Sequence, residues 1–149
     1  MANTQAVCSS FKGEQLNGIH AFGASVVRAA TTADTFKAAL YLSAATVNAT
    51  TTAYAVTNEV TGAGYTAGGV TFAWAAPAVT GTTAFTTPTA SFSWTGLTAG
   101  PFDAVLLYNS TQTNRAVSVH TFGSQTVTAS NFSLTMPTND ASTGLLRVA

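Results

Sequence analysis

The chain has 149 residues, five Lys or Arg against five Asp or Glu, and a formal net charge of zero, a length that suits one domain with one core. Only 7% of residues are charged and 46% are hydrophobic, against about 25% charged in an average globular protein, so there is no basic footprint for phosphate and no nucleic-acid partner is expected. A neutral, hydroxyl-rich surface lacks the repulsion that keeps soluble proteins apart, and a homo-oligomer is expected.

The N-terminal stretch "MANTQAVCSSFKGEQ" has neither the basic nor the long apolar region of a signal peptide, and no run approaches the ~18 apolar residues of a membrane span. Synthesis in the cytoplasm and no membrane contact are expected. Cys8 is the single cysteine; no intrachain disulfide or thiolate cluster can form, and a small buried hydrophobe is the expected role. Residues 1–23 read as one short helical segment: Ser9 or Ser10 offers a cap, Phe11, Leu16 and Ile19 recur at helical spacing, and Gly18 or Gly23 offers a stop. Such a helix needs an apolar surface to pack on, and capping its own domain is the expected arrangement.

From residue 34 to 149 the period changes to two. "DTFKAALYL" sets Phe36, Ala38, Leu40 and Leu42 against Lys37, Ala39 and Tyr41, a half-buried strand. The long "SAATVNATTTAYAVTNEVTGAGYTAGG" lacks periodicity, and its Gly62, Gly64, Gly68 and Gly69 permit positive φ; it has no phosphate-loop frame and reads as a shaped connection. "VTFAWAA" and "ASFSWTG" alternate, the second with Phe92 and Trp94 opposite Ser91 and Ser93. "FDAVLLY", "RAVSVHTF", "NFSLTMP" and "GLLRVA" follow. Short strands between Gly, Pro, Asn and Thr clusters predict an all-β, antiparallel sandwich, jelly-roll-like, spanning 1–149 as a single domain.

"FDAVLLYNSTQTNRAVSVHTFG" is the densest pattern. Two strands joined by "NSTQT" would close on Tyr108 and Asn114, set Leu107 against Arg115, and bring Asp103 near Val119 or His120. An Asp facing a His invites a hydrolase reading, but no G-x-S-x-G or other nucleophile context accompanies it. His20 and His120 lie in different elements without metal-ligand spacing, and Glu14, Asp34, Glu59, Asp103 and Asp140 are scattered. No catalytic residue, metal or cofactor is therefore expected, and Asp103 and Arg115 read as a structural ion pair or a strand-end polar contact.

Five blocks, "SFKGEQLNGIHAFG", "DTFKAALYLSAAT", "TNEVTGAGYTAGG", "AVLLYNSTQTNRAVSVHTFGS" and "LTMPTNDASTGLLRVA", together resemble a group of small virion-associated proteins of tailed bacteriophages. Residues 72–100 carry the least of the likeness. The resemblance implies a non-enzymatic structural protein of the virion, made in the host cytoplasm, foremost a capsid decoration (cement) protein on the phage major capsid protein. The other placement is a tail, neck or fibre protein touching tail proteins or host glycans. Expected contact residues are Phe11, Leu16, Ile19, Tyr54, Tyr65 and Trp74, since aromatic and large apolar side chains dominate interface energetics.

Overall fold

The computed structural model describes residues 3–8, 10–11, 15, 19–23 and 33–148. The alternating runs become eight strands: β1 (Ala6–Val7), β2 (Phe36–Leu42), β3 (Val70–Phe72), β4 (Ala78–Thr80), β5 (Thr83–Thr86), β6 (Phe92–Asn109), β7 (Arg115–Leu134) and β8 (Leu146–Val148). They form a five-stranded antiparallel sheet, β1-β7-β6-β2-β3, and a three-stranded one, β4-β5-β8. The fold is the expected all-β antiparallel sandwich, its eight strands divided five and three. No helix stands among these elements: the expected N-terminal helix lies mostly outside the described residues, and Ser10, Phe11 and Gln15 are the helical positions seen there.

The described part of that segment packs on the chain's own core. Cys8, Phe11 and Phe22 belong to the central cluster of buried residues. The Phe22 ring lies 5.0 Å from both Phe36 and Trp74, and Phe11 meets Phe22 edge-on at 5.8 Å. Edge-on aromatic pairs of this kind add about 0.5–1.5 kcal/mol each beyond the area they bury.

Three strands differ from their sequence reading. β2 is not half-buried: Ala39 and Tyr41 are buried like Ala38 and Leu40, because the connection that follows β2 folds back on it, bridging Tyr41 to Glu59 and accepting from the Tyr41 hydroxyl at Ala55 O. The short strands read at 90–96 and 102–108 fall in one strand, β6, and those at 114–122 and 131–137 in one strand, β7, which ends at Leu134. Register shifts at Trp94/Leu97, Leu97/Ala99, Ala99/Phe102 and Phe102/Ala104 bend the hairpin where a break was expected; a bulge turns a strand without ending it.

The hairpin closes on Asn109 and Arg115, one position from the expected pair, and places Leu107 opposite Ser118 and Val105 opposite His120. The shift follows from Asn109, whose Oδ1 accepts from the Thr111 and Gln112 amides at 3.1 Å each and so folds the turn onto residues 110–114. Asp103 lies well along β6 from Asn109, the partner of Arg115, and accepts from Asn3 Nδ2, so of the two expected roles it makes a polar contact and not an ion pair with Arg115.

Candidate functional site

The chain's four tyrosines converge on one acid. Glu59, in the connection between β2 and β3, is 4% exposed. Its Oε1 accepts from the Tyr65 hydroxyl and the Gly68 amide, both at 2.7 Å, and its Oε2 accepts from the Tyr54 hydroxyl at 2.6 Å. Tyr65 in turn accepts from the Leu40 amide at 3.0 Å. Tyr108, on β6, donates to Gly68 O at 2.9 Å and stacks on Tyr54 with ring centres 4.6 Å apart. Tyr41, on β2, donates to Ala55 O at 2.5 Å.

Burying a carboxylate is costly unless its lone pairs are satisfied. Here three donors, two of them phenolic, share the charge, and backbone bridges between Tyr41 and Glu59 and between Ala53 and Arg115 dock the connection on the large sheet. Gly69 completes the seat: at φ 74° it lies so close to β2 that a Cβ would come within 1.9 Å of Ala38 O. Burial, with the Glu59 charge adding to it, pushes Tyr41 and Tyr108 up to about 12 and raises Tyr54 and Tyr65 further. The phenols stay protonated donors at any ordinary pH. This cluster is a latch for the long connection.

A second polar node joins the N-terminal segment to the hairpin. Asn109, fully buried, donates from Nδ2 to Asp34 Oδ2 at 2.8 Å and lies 3.0 Å from His20 Nδ1. Asp34 Oδ2 also accepts from the Ala21 amide at 3.0 Å. His120 meets a serine: Ser118 Oγ and His120 Nε2 are 3.0 Å apart, and burial lowers the imidazole to about 4. The pair looks nucleophilic on paper, but Ser118 is fully buried. Asp103 is held by Asn3 and does not reach His120 as the hydrolase reading required. Among the described residues no group of three His, Cys, Asp or Glu is placed to hold a metal ion.

The residues expected at an interface are placed differently from the expectation. Phe11 and Trp74, 2% and 3% exposed, are committed to the core, where the N-terminal segment and β3 pack together. Tyr54 and Tyr65 are partly buried and turned inward to Glu59. Ile19 is partly buried, and Leu16 lies outside the described residues.

Among the described residues the large apolar side chains most exposed are Val56, Val79 and Val148. Register places Val79 of β4 opposite Ala84 of β5, and Ala84 opposite Val148 of β8, so the three form one row across the small sheet. Val79 is 71% and Val148 64% exposed. Two residues along the same face, Thr86 and Leu146 are buried, and a groove of about 290 Å³ lined by Phe11, Phe22, Pro77, Phe85 and Leu146 adjoins the row. Sequence reading missed it because "AVTGTTAFT" looks like a polar connection; the signal was Val79 alone among threonines. No protein-family model, curated protein or solved structure matches the chain.

Proposed function

We propose that the protein is a non-enzymatic structural component of a bacteriophage virion, most naturally a capsid decoration protein that binds the outer surface of the head. The observation that carries this reading is the uncharged apolar row Val79–Ala84–Val148 on the small sheet. Large apolar side chains left in the open on an otherwise hydroxyl-rich surface mark a contact face. Its support is twofold: the likeness of the five sequence blocks to virion-associated proteins, and the use of the chain's buried polar residues, Glu59, Asn109, His20 and Ser118, in holding its own elements together. A cementing protein works by added interface, repeated at every junction of the shell, and needs no reacting group.

Quantitative mass spectrometry of purified virions of the encoding phage tests the reading. Hundreds of copies per particle, with loss of the protein from particles carrying Val79→Asp, is the expected result. Roughly six or twelve copies, the stoichiometry of a closed ring, would move it to the tail or neck, and absence from virions would overturn the reading.

A further inference from the structure

We propose that the outer edge of β7, from His120 to Leu134, is an assembly edge that pairs with the same edge of a second copy of this chain. β7 is covered on its outer side only near its start. β1 pairs with Ser118 and Val119, the Cys8 amide reaches Val117 O, and residues 52–54 bond to 114–116. Beyond that point, among the described residues, β6 alone pairs with the strand, and Gln125 folds back on Gly123 O. Among the described residues that outer edge thus has no strand partner, and an unpaired edge is a template for another strand.

Three further observations identify the partner as another copy. First, residues 116 to 139 contain no Asp, Glu, Lys or Arg. Natural edges are kept apart by inward or edge charges, above all Lys, and by Pro; an uncharged edge meets its own copy without repulsion and gives a charged partner nothing to recognise. Second, Phe122, Val127, Phe132 and Leu134 of the same stretch are only partly buried against the core, and a sheet continued by a neighbour would cover their open sides. Third, the edge is about 50 Å long at ~3.3 Å per residue, and a sheet is about 10 Å thick. Pairing along it therefore covers roughly 1,000 Å² in all, the lower bound of a specific interface.

Ala129, at φ 47°, sits at a register shift between Val127 and Ser130, and such a bulge bends the edge. A two-fold pairing uses the same edge on both copies, so it closes at a dimer rather than growing into a fibre. The inference holds whatever larger assembly the protein joins, because it concerns the isolated chain in solution.

Sedimentation velocity of the full chain, with and without two exposed edge substitutions, tests it. The unmodified protein is expected at twice the mass of one chain at micromolar concentration. Thr128→Lys with Ser130→Lys, both at exposed positions, should weaken dimerisation at least about tenfold at unchanged melting temperature, and Val79→Lys should remain dimeric. A monomer at every concentration up to ~100 µM, or a dimer broken by Val79→Lys and indifferent to the edge pair, overturns the proposal. Hydrogen exchange on the unmodified chain tests it without any variant. Protection of amides in 120–134 that rises with protein concentration is expected, and exchange there independent of concentration overturns the proposal.

Discussion

At Glu59 three donors share one carboxylate, so removing the acceptor strands all of them. Glu59→Leu leaves the Tyr54 and Tyr65 hydroxyls and the Gly68 amide without it, at about 1–3 kcal/mol for each buried group; denaturant unfolding should show a loss of at least ~3 kcal/mol. Glu59→Gln keeps one carbonyl oxygen for Tyr65 and Gly68 and turns an NH2 toward the Tyr54 oxygen, so it should lose less than half as much. The tyrosines give the alkaline limit. Their folded pKa values are raised above 10, so the unfolded chain releases its phenolic protons first. Stability is therefore complete below pH 10 and falls as pH rises toward about 12; tyrosinate absorbance should appear together with loss of β-sheet circular dichroism, not before it. His120 gives the acid limit with the opposite sign. Its pKa is depressed from 6.5 to about 4, so the unfolded state binds the proton first and stability declines as pH falls from 6.5 to about 4. The loss is at most about 3 kcal/mol, and His120→Gln should flatten that part of the melting profile. None of these partners was legible in the sequence. Glu59 lies five and six residues from Tyr54 and Tyr65, which no regular period brings together.

The long hairpin is the element on which the rest is hung. Leu106, fully buried between β2 and β7, should cost about 2–5 kcal/mol when cut to Ala, read from the midpoint of chemical unfolding. Its strands were visible as alternation, and so were Phe92 and Trp94 as the inward face. Their fusion into β6 was not, because bulges erase the phase of the pattern and Gly96, Gly100 and Pro101 look like a stop. The small sheet was least legible, since β4 and β5 are short and rich in Thr and Ala. The N-terminal segment tests packing at the same scale. Phe11 and Phe22 belong to the core, and truncating a buried Phe costs about 3–5 kcal/mol. Deleting residues 1–22 therefore removes as much as a small domain's whole stability of about 5–15 kcal/mol. The truncated chain should show no cooperative thermal transition; a stable, fully folded truncation would mean that these rings only decorate the sandwich.

For the whole molecule, the two proposed contact surfaces differ in kind: an apolar row on the small sheet and, among the described residues, an unpaired strand edge on the large one. They lie on separate sheets, so the proposed attachment and the proposed self-association are separable by substitution. The connectivity that joins those sheets also orders events in time. Asn3 bonds to Asp103, β1 pairs with residues 118 and 119, and β2 pairs with residues 102–109. During synthesis, which runs from the N-terminus at about 5–20 residues per second, the first forty residues emerge long before the strands that will shelter them. The nascent chain must hold Phe11, Phe22 and Phe36 exposed until the hairpin has left the ribosome, and closure of the sandwich is a late, nearly all-at-once event. Topologies dominated by such distant pairings fold in milliseconds to seconds rather than microseconds. Chains stalled before residue 109 should accordingly remain open to protease along their whole length, and those extended past residue 134 with a spacer should acquire resistance in a single step.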